Sequence, residues 1–285
     1  MELHDDDKPV GRILTRREVL AMLGGGGAAL IAGLSLPKLV SAQSTATPTA
    51  SSELPACVVR PELTEGPYFV DGQLNRRDIR VDPSDGSIKE GLPLRLIYRV
   101  SDVTGGMCAP LAGAQVDVWH CDADGVYSGV QDMSFDTSGQ MWLRGYQVTD
   151  EKGIADFITI VPGWYSGRAV HIHFKIRTEP ENEQGYEFTS QFFFDPEQIE
   201  TIYAEPPYAA KGLPDTPNSR DNIFQGSDGL LTLELVPMTD EELAEIDAEA
   251  GYTATFDIGL DLSDAAVGAD DGFSMGSGGG RPGRP

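Results

Sequence analysis

Histidine is scarce in this chain: 285 residues contain four, His4, His120, His171 and His173. Any chemistry that needs imidazole must draw on them, which leaves little room for a Ser/His/Asp hydrolase. Cysteine is scarcer still. Cys57, Cys108 and Cys121 are too few for a disulfide-dense scaffold or a four-cysteine zinc site. Positive charge is short too, with 21 Lys and Arg against 45 Asp and Glu, a formal net charge of −24 and no basic run in the central part. Nucleic acid and anionic membrane surfaces are therefore not expected partners. No glycine-rich phosphate-cradling loop is present. What the chain does have is glycine (33) and proline (19) with 40% apolar residues. That balance suits many short strands joined by tight turns, within one domain.

The two ends cannot build a core. The stretch Thr15-Arg16-Arg17-Glu18 precedes a Gly/Ala/Leu-rich run to about Leu36 and small residues at Val40-Ser41-Ala42. Residues 1–42 thus read as an export signal, and the paired arginines resemble the twin-arginine type, which carries folded, cofactor-loaded proteins. An uncut signal would instead act as a membrane anchor. Residues 43–55 are a Ser/Thr/Pro-rich linker, and 263–285 a Gly/Ser/Pro-rich tail expected to be disordered. The expected domain is 56–262, working in an extracytoplasmic or secreted setting.

Within it the hydrophobic period is two. Leu92, Leu94, Leu96, Tyr98 and Val100 alternate with Pro93, Arg95, Ile97 and Arg99, and Ala114, Val116 and Val118 with Gln115 and Asp117. Further strands are expected over 155–161, 170–176, 188–194, 230–236 and 253–259. The fold class is all-β: a sandwich of mainly antiparallel strands with its active site in loops and strand ends at one side. Two short helices are expected. Asp195-Pro196-Glu197 reads as a cap and first turn, and Thr239 to Glu242 as a capping box.

His171 and His173, two apart on a strand, project from one face, with Val170, Ile172, Phe174 and Ile176 on the other. Such a pair fits one metal ion, and equally two solvated histidines. Two tyrosines sit in glycine-marked turns nearby, in Asp124-Gly125-Val126-Tyr127 and Pro162-Gly163-Trp164-Tyr165. The run from Thr159 to Phe174, together with that from Val118 to Tyr127, resembles the intradiol ring-cleavage dioxygenase family, over a stretch from about Cys57 to beyond Phe224.

The resemblance implies one ferric ion per chain on Tyr127, Tyr165, His171 and His173. Phenolate oxygens with imidazole nitrogens suit Fe(III) better than zinc or copper. It implies a small aromatic diol and O2 as substrates, with the catechol displacing Tyr165 and the ring opening between its hydroxylated carbons to a muconate-type diacid. Arg168 and Gln191 match positions that stabilise charge on the ring. The segment with Thr64, Gly66, Pro67 and Tyr68 matches one that shapes the substrate pocket, although as bare sequence it is a Gly-Pro turn ahead of a strand. His120 shares a face with Val116 and Val118 and reads as a core or supporting histidine, not a fifth ligand.

A Cys57–Cys108 disulfide is expected from their places in turn-rich loops, leaving Cys121 buried near Trp119; the alternative is three reduced thiols. The chain resembles the shorter exported branch without the helical region that pairs catechol-cleaving subunits, so a monomer is expected. The rival readings are a non-catalytic exported β-sandwich binding module and a zinc or copper protein using the same histidines.

Overall fold

The alternating run beginning at Pro93 forms the first strand in a computed structural model that describes residues 57–180 and 185–264. The signal and linker expected over 1–42 and 43–55 lie outside the described residues, as does the tail from residue 265. Among the described residues the strands run in order β1 Pro93–Asp102, β2 Ala109–Pro110, β3 Gln115–Trp119, β4 Arg144–Val148, β5 Ile154–Ile160, β6 His171–Arg177, β7 Glu187–Phe194, β8 Thr232–Leu233, β9 Val236–Pro237 and β10 Tyr252–Leu260. The α-helices of the described residues are α1 Pro196–Ile202, α2 Asn222–Gly226 and α3 Asp240–Glu245.

In the first sheet β1 lies between β10 and β5, with β2 on its far end and β9 outside β10. The second sheet runs β4-β3-β6-β7-β8. The expected sandwich is found, with one refinement: the sheets are mixed, because β1 pairs in parallel with β10 and β7 with β8. Leu94, Leu96, Tyr98 and Val100 of β1 are buried, and so are Ile172, Phe174 and Ile176 of β6. The two inner faces meet at an aromatic cluster. The Tyr98 ring lies 5.6 Å from Phe174 and 5.4 Å from Phe192, and Phe192 is 4.2 Å from Phe256.

The helix caps follow the local signals. Asp195 accepts from Glu197 N and Gln198 N with Pro196 opening α1, and Thr239 and Glu242 close a capping box on α3. The expected strand over 230–236 is instead two. β8 joins the second sheet and β9 the first, because the chain crosses between sheets while Leu231, Leu233 and Leu235 turn into the core. β4 has no period-two signature. It is a largely half-exposed edge strand carrying Gly145, where a Cβ would press on Ile79. No strand follows the Pro67 turn. Residues 57–92 instead wrap the sandwich through isolated bridges such as Asn75 with Tyr146 and Asp78 with Ile158.

The Tyr98 hydroxyl is buried in the cluster with no hydrogen-bond partner among the described residues. Desolvating an unpaired hydroxyl costs free energy that a phenyl ring avoids. Tyr98→Phe should therefore raise unfolding stability by about 1 kcal/mol, whereas Phe192→Ala should lower it by about 3–5 kcal/mol. Urea unfolding of both variants checks the pair, and a destabilised Tyr98→Phe would show that the hydroxyl is satisfied.

Candidate metal centre

β6 is a central strand, so its outward side chains face neighbours from β3 and β7. His173 stands opposite Trp119 on one side and Gln191 on the other, and His171 opposite Phe193. The His173 ring stacks on Trp119, centroids 5.0 Å apart and 11° from parallel. Its Nδ1 is buried with no hydrogen-bond partner among the described residues, so packing fixes the ring. His171 is held differently. Its Nδ1 lies 2.6 Å from the Ala169 carbonyl, which can only accept, so Nδ1 carries the proton and Nε2 presents its lone pair.

Both tyrosine hydroxyls come to that lone pair: Tyr165 at 3.2 Å and Tyr127 at 3.4 Å from His171 Nε2. The two imidazole centroids are 4.8 Å apart and the two phenol centroids 5.8 Å. Glycine makes this convergence possible. The Gly163 N–H donates to the Asp122 carbonyl at 2.9 Å, and a Cβ there would overlap the Ala123 carbonyl. Gly125, at φ 81°, likewise sits against the Trp164 carbonyl. The two turns pack backbone on backbone, and each delivers its tyrosine to the same point.

The two phenols differ in surroundings. Tyr127 is 1% exposed, stacked on Tyr68 at 4.5 Å, with the Arg144 guanidinium 5.9 Å from its ring centroid. Arg144 is fixed by the Ser128 carbonyl at 2.9 Å and the Tyr68 carbonyl at 2.5 Å. Tyr165 is half-buried. Burial, then the neighbouring Tyr165, pushes the Tyr127 phenol well above its ordinary range, so it keeps its proton unless a cation replaces it. Burial pushes both histidines down, with Arg168 adding to the effect, so both imidazoles are neutral.

Among the described residues no three His, Cys, Asp or Glu side chains converge on a common point. A metal here must take its anionic donors from tyrosine. Two phenols and two imidazoles form a hard, oxygen-rich set that fits ferric iron.

Arg168 and Gln191 lie beside this cluster, both fully buried. Arg168 Nη2 donates to Gln191 Oε1 at 2.6 Å, and Gln191 Nε2 donates to the Thr64 carbonyl at 2.9 Å. Arg168 Nε donates to Asp221 at 3.0 Å. Burial opposes ionisation of Asp221, but the Arg168 charge and the Phe224 and Ala169 N–H groups hold its pKa below the ordinary value. The sequence reading missed Asp221. An Asp ahead of Asn222-Ile223-Phe224 does signal a helix cap, but its arginine partner is distant in sequence.

Thr64 is buried and accepts from Gly66 N at 3.2 Å; Gly66, at φ 73°, and Pro67 form the turn that places Tyr68. Tyr68 therefore walls the site, and its hydroxyl donates to Asp132 at 2.9 Å. His120 has both ring nitrogens engaged elsewhere, Nδ1 with the Cys121 carbonyl at 2.7 Å and Nε2 with Thr159 Oγ1 at 2.6 Å. It ties the end of β3 to β5 across the sandwich. Cys57 and Cys108 are joined by a disulfide, Cα atoms 5.9 Å apart, and Cys121 is free and buried, its thiol pushed up by burial.

A family model described as Dioxygenase matches residues 64–206, just over half of the chain and the whole of the four-residue cluster. The chain belongs to the intradiol ring-cleavage dioxygenase family. An intradiol ring-cleavage dioxygenase from Tetranychus urticae superimposes with a TM-score of 0.58 at 26% identity, covering 75% of this chain and 98% of that one. Chlorocatechol 1,2-dioxygenase of Pseudomonas putida is 30% identical over 156 residues, 46% of this chain and 52% of that protein. Catechol 1,2-dioxygenase of Acinetobacter baylyi is 34% identical over 109 residues, 37% of this chain and 32% of that protein. The chain spans about half the length of the first of these curated relatives.

His120 gives this member of the family a pH signature. Burial lowers its pKa from 6.5 to about 4. Below pH 6.5 the unfolded chain takes up a proton that the folded chain refuses, so the stabilisation is full above 6.5 and is lost as pH falls toward 4. The His120 share of that loss should be about 1.4 kcal/mol per pH unit. Urea unfolding of metal-free wild type and His120→Gln between those limits should differ by that slope; equal slopes would mean His120 is charged when folded.

Proposed function

We propose that this chain is an exported, ferric intradiol dioxygenase that opens a catechol-class ring between its two hydroxylated carbons, placing both atoms of O2 in a muconate-type diacid. The observation that carries the reading is the meeting of the Tyr127 and Tyr165 hydroxyls at His171 Nε2, with His173 alongside. Ferric iron held by these four residues would draw electron density from a chelated catecholate and so open the ring to dioxygen. The names of the catechol and chlorocatechol dioxygenase relatives support the substrate class.

The protein's own residues divide the remaining work. Tyr127 is the fixed phenol, clamped between Tyr68 and Arg144. Tyr165, the more exposed of the two, would be the one to yield its place to substrate, and its phenol oxygen would then be at hand to accept a catechol proton. The Ala169 carbonyl keeps the His171 proton on Nδ1 throughout. Arg168, charged and dry, stabilises the negative charge that develops on the ring, and Gln191 holds its Nη2 in place. Tyr68 and the Thr64 turn wall the pocket. A position outside the cytoplasm is supported by Arg16-Arg17 ahead of an apolar run and by the Cys57–Cys108 bridge, which suits an oxidising compartment.

Metal analysis and the visible spectrum of the purified mature domain test this reading. One ferric ion per chain, a tyrosinate-to-iron band that moves when catechol is added without oxygen, and oxygen uptake matching catechol consumed are expected. Tyr127→Phe should lose the band's intensity and bind iron less tightly. Arg168→Gln should keep the band and lower kcat by about 100- to 1000-fold. A protein that stays colourless after ferric reconstitution would sink the dioxygenase reading and leave a binding module.

A further inference from the structure

Beside the four-residue cluster lies a buried carboxylate that belongs to none of its side chains. Asp221 is 2% exposed and accepts four hydrogen bonds. Oδ1 takes Ile223 N at 2.8 Å and Phe224 N at 3.0 Å, capping α2. Oδ2 takes Arg168 Nε at 3.0 Å and Ala169 N at 2.8 Å. The capping needs only one of the two oxygens. The other grips two consecutive residues of the segment leading into β6, and each passes the constraint onward. Arg168 continues to Gln191 and so to the Thr64 carbonyl; the Ala169 carbonyl receives the Nδ1 proton of His171.

We infer that Asp221 is a positioning residue that fixes, through a single carboxylate, both the Arg168 guanidinium and the orientation of the His171 ring. The inference rests on the dioxygenase reading of the site and assigns within it a residue that reaches the reaction only through others. The chemistry explains why a carboxylate is needed. Two pairs of N–H donors converge on two atoms, Ile223 and Phe224 on one and Arg168 Nε and Ala169 on the other, and among side chains only a carboxylate offers two oxygens that each accept both. An arginine buried without that anion would have a high desolvation cost and would seek another orientation.

Asp221→Asn is the direct test, because asparagine still caps α2 through its oxygen while its NH2 group would face two donors. Asp221→Ser is the second variant: it keeps a capping oxygen and is too short to reach Arg168. In both, the iron content and tyrosinate band should remain, KM for catechol should change little, and kcat should fall about 10- to 100-fold. In an Arg168→Gln background the same substitutions should cost no more than about threefold. In metal-free protein followed by 15N NMR, the Arg168 Nε–H should exchange with solvent about tenfold or more faster in the variants than in wild type. The His171 Nδ1–H resonance should also shift.

Unchanged exchange at Arg168, or an equal loss of kcat with and without Arg168, would overturn the inference. A wild type that binds no iron would fail the dioxygenase reading alone. The exchange measurement, made without metal, would still decide whether Asp221 governs Arg168 and His171.

Discussion

Burial of the second face of β6 is the constraint on which the site depends. One face of that strand packs into the sandwich through Ile172, Phe174 and Ile176, as the inner face of any sandwich does. The outer face of an antiparallel sheet is commonly wet. Here His171, His173 and Lys175 on that face are all at most 5% exposed. The cover is the segment before β1 and the long connection from β3 to β4, and it is pinned by charge. Lys175 pairs with Glu65 and, at 2.6 Å, with Glu187 while lying over the Phe69 ring; Arg177 pairs with Asp117 at 2.9 Å and Asp71 at 3.0 Å. One end of the strand is thus an ionic clasp that holds down the segment carrying Thr64 and Tyr68. The other end is the dry histidine pair beneath it.

Dryness sets the electrostatics. The chain carries a formal charge of −24, yet the charged side chains that act on the Tyr127 phenol are the buried arginines Arg168 and Arg144. The two facts concern different ranges. Surface acidity is screened by salt over about 10 Å and bears on solubility, whereas a buried guanidinium acts at short range in a poorly screened medium. Locally the two guanidiniums favour a phenolate oxygen at Tyr127. Asp221 is a carboxylate buried against Arg168, and its four hydrogen bonds are what make that burial tolerable.

The strands that build the core were legible because β1, β3 and β6 alternate apolar with polar residues, while β5 and β7 are short runs of β-branched and aromatic residues bounded by turns. β4 was not legible. Its residues Arg144 to Val148 are chosen for partners, not for a buried face: Arg144 for Ser128 and Tyr68, Gly145 for the close approach of Ile79. The stretch from Leu230 to Val236 kept an alternating pattern and still divided between sheets, since Leu231, Leu233 and Leu235 are buried wherever the ladder breaks. Among site residues, the His-x-His spacing and the glycine-marked tyrosines could be singled out locally. Their convergence was known only through resemblance to a family. Asp221 was invisible because nothing near it in sequence announces Arg168.

The glycines beside the tyrosines carry as much of the site as the tyrosines do. Gly125 and Gly163 bring two carbonyl-lined turns into contact, and a side chain on either would push Tyr127 and Tyr165 apart. A metal coordination sphere tolerates errors of only a few tenths of an ångström, so the separation of the two phenols must be set by something stiff. Backbone against backbone is stiffer than any pair of rotamers. Four ligand residues placed on another sandwich without those two contacts would supply the right atoms at the wrong distances. The asymmetry follows from the same packing: the turn of Tyr127 is buried under Tyr68, while that of Tyr165 continues into the exposed Ser166 and Gly167. One phenol is therefore anchored and the other stands at the exposed edge of the cluster.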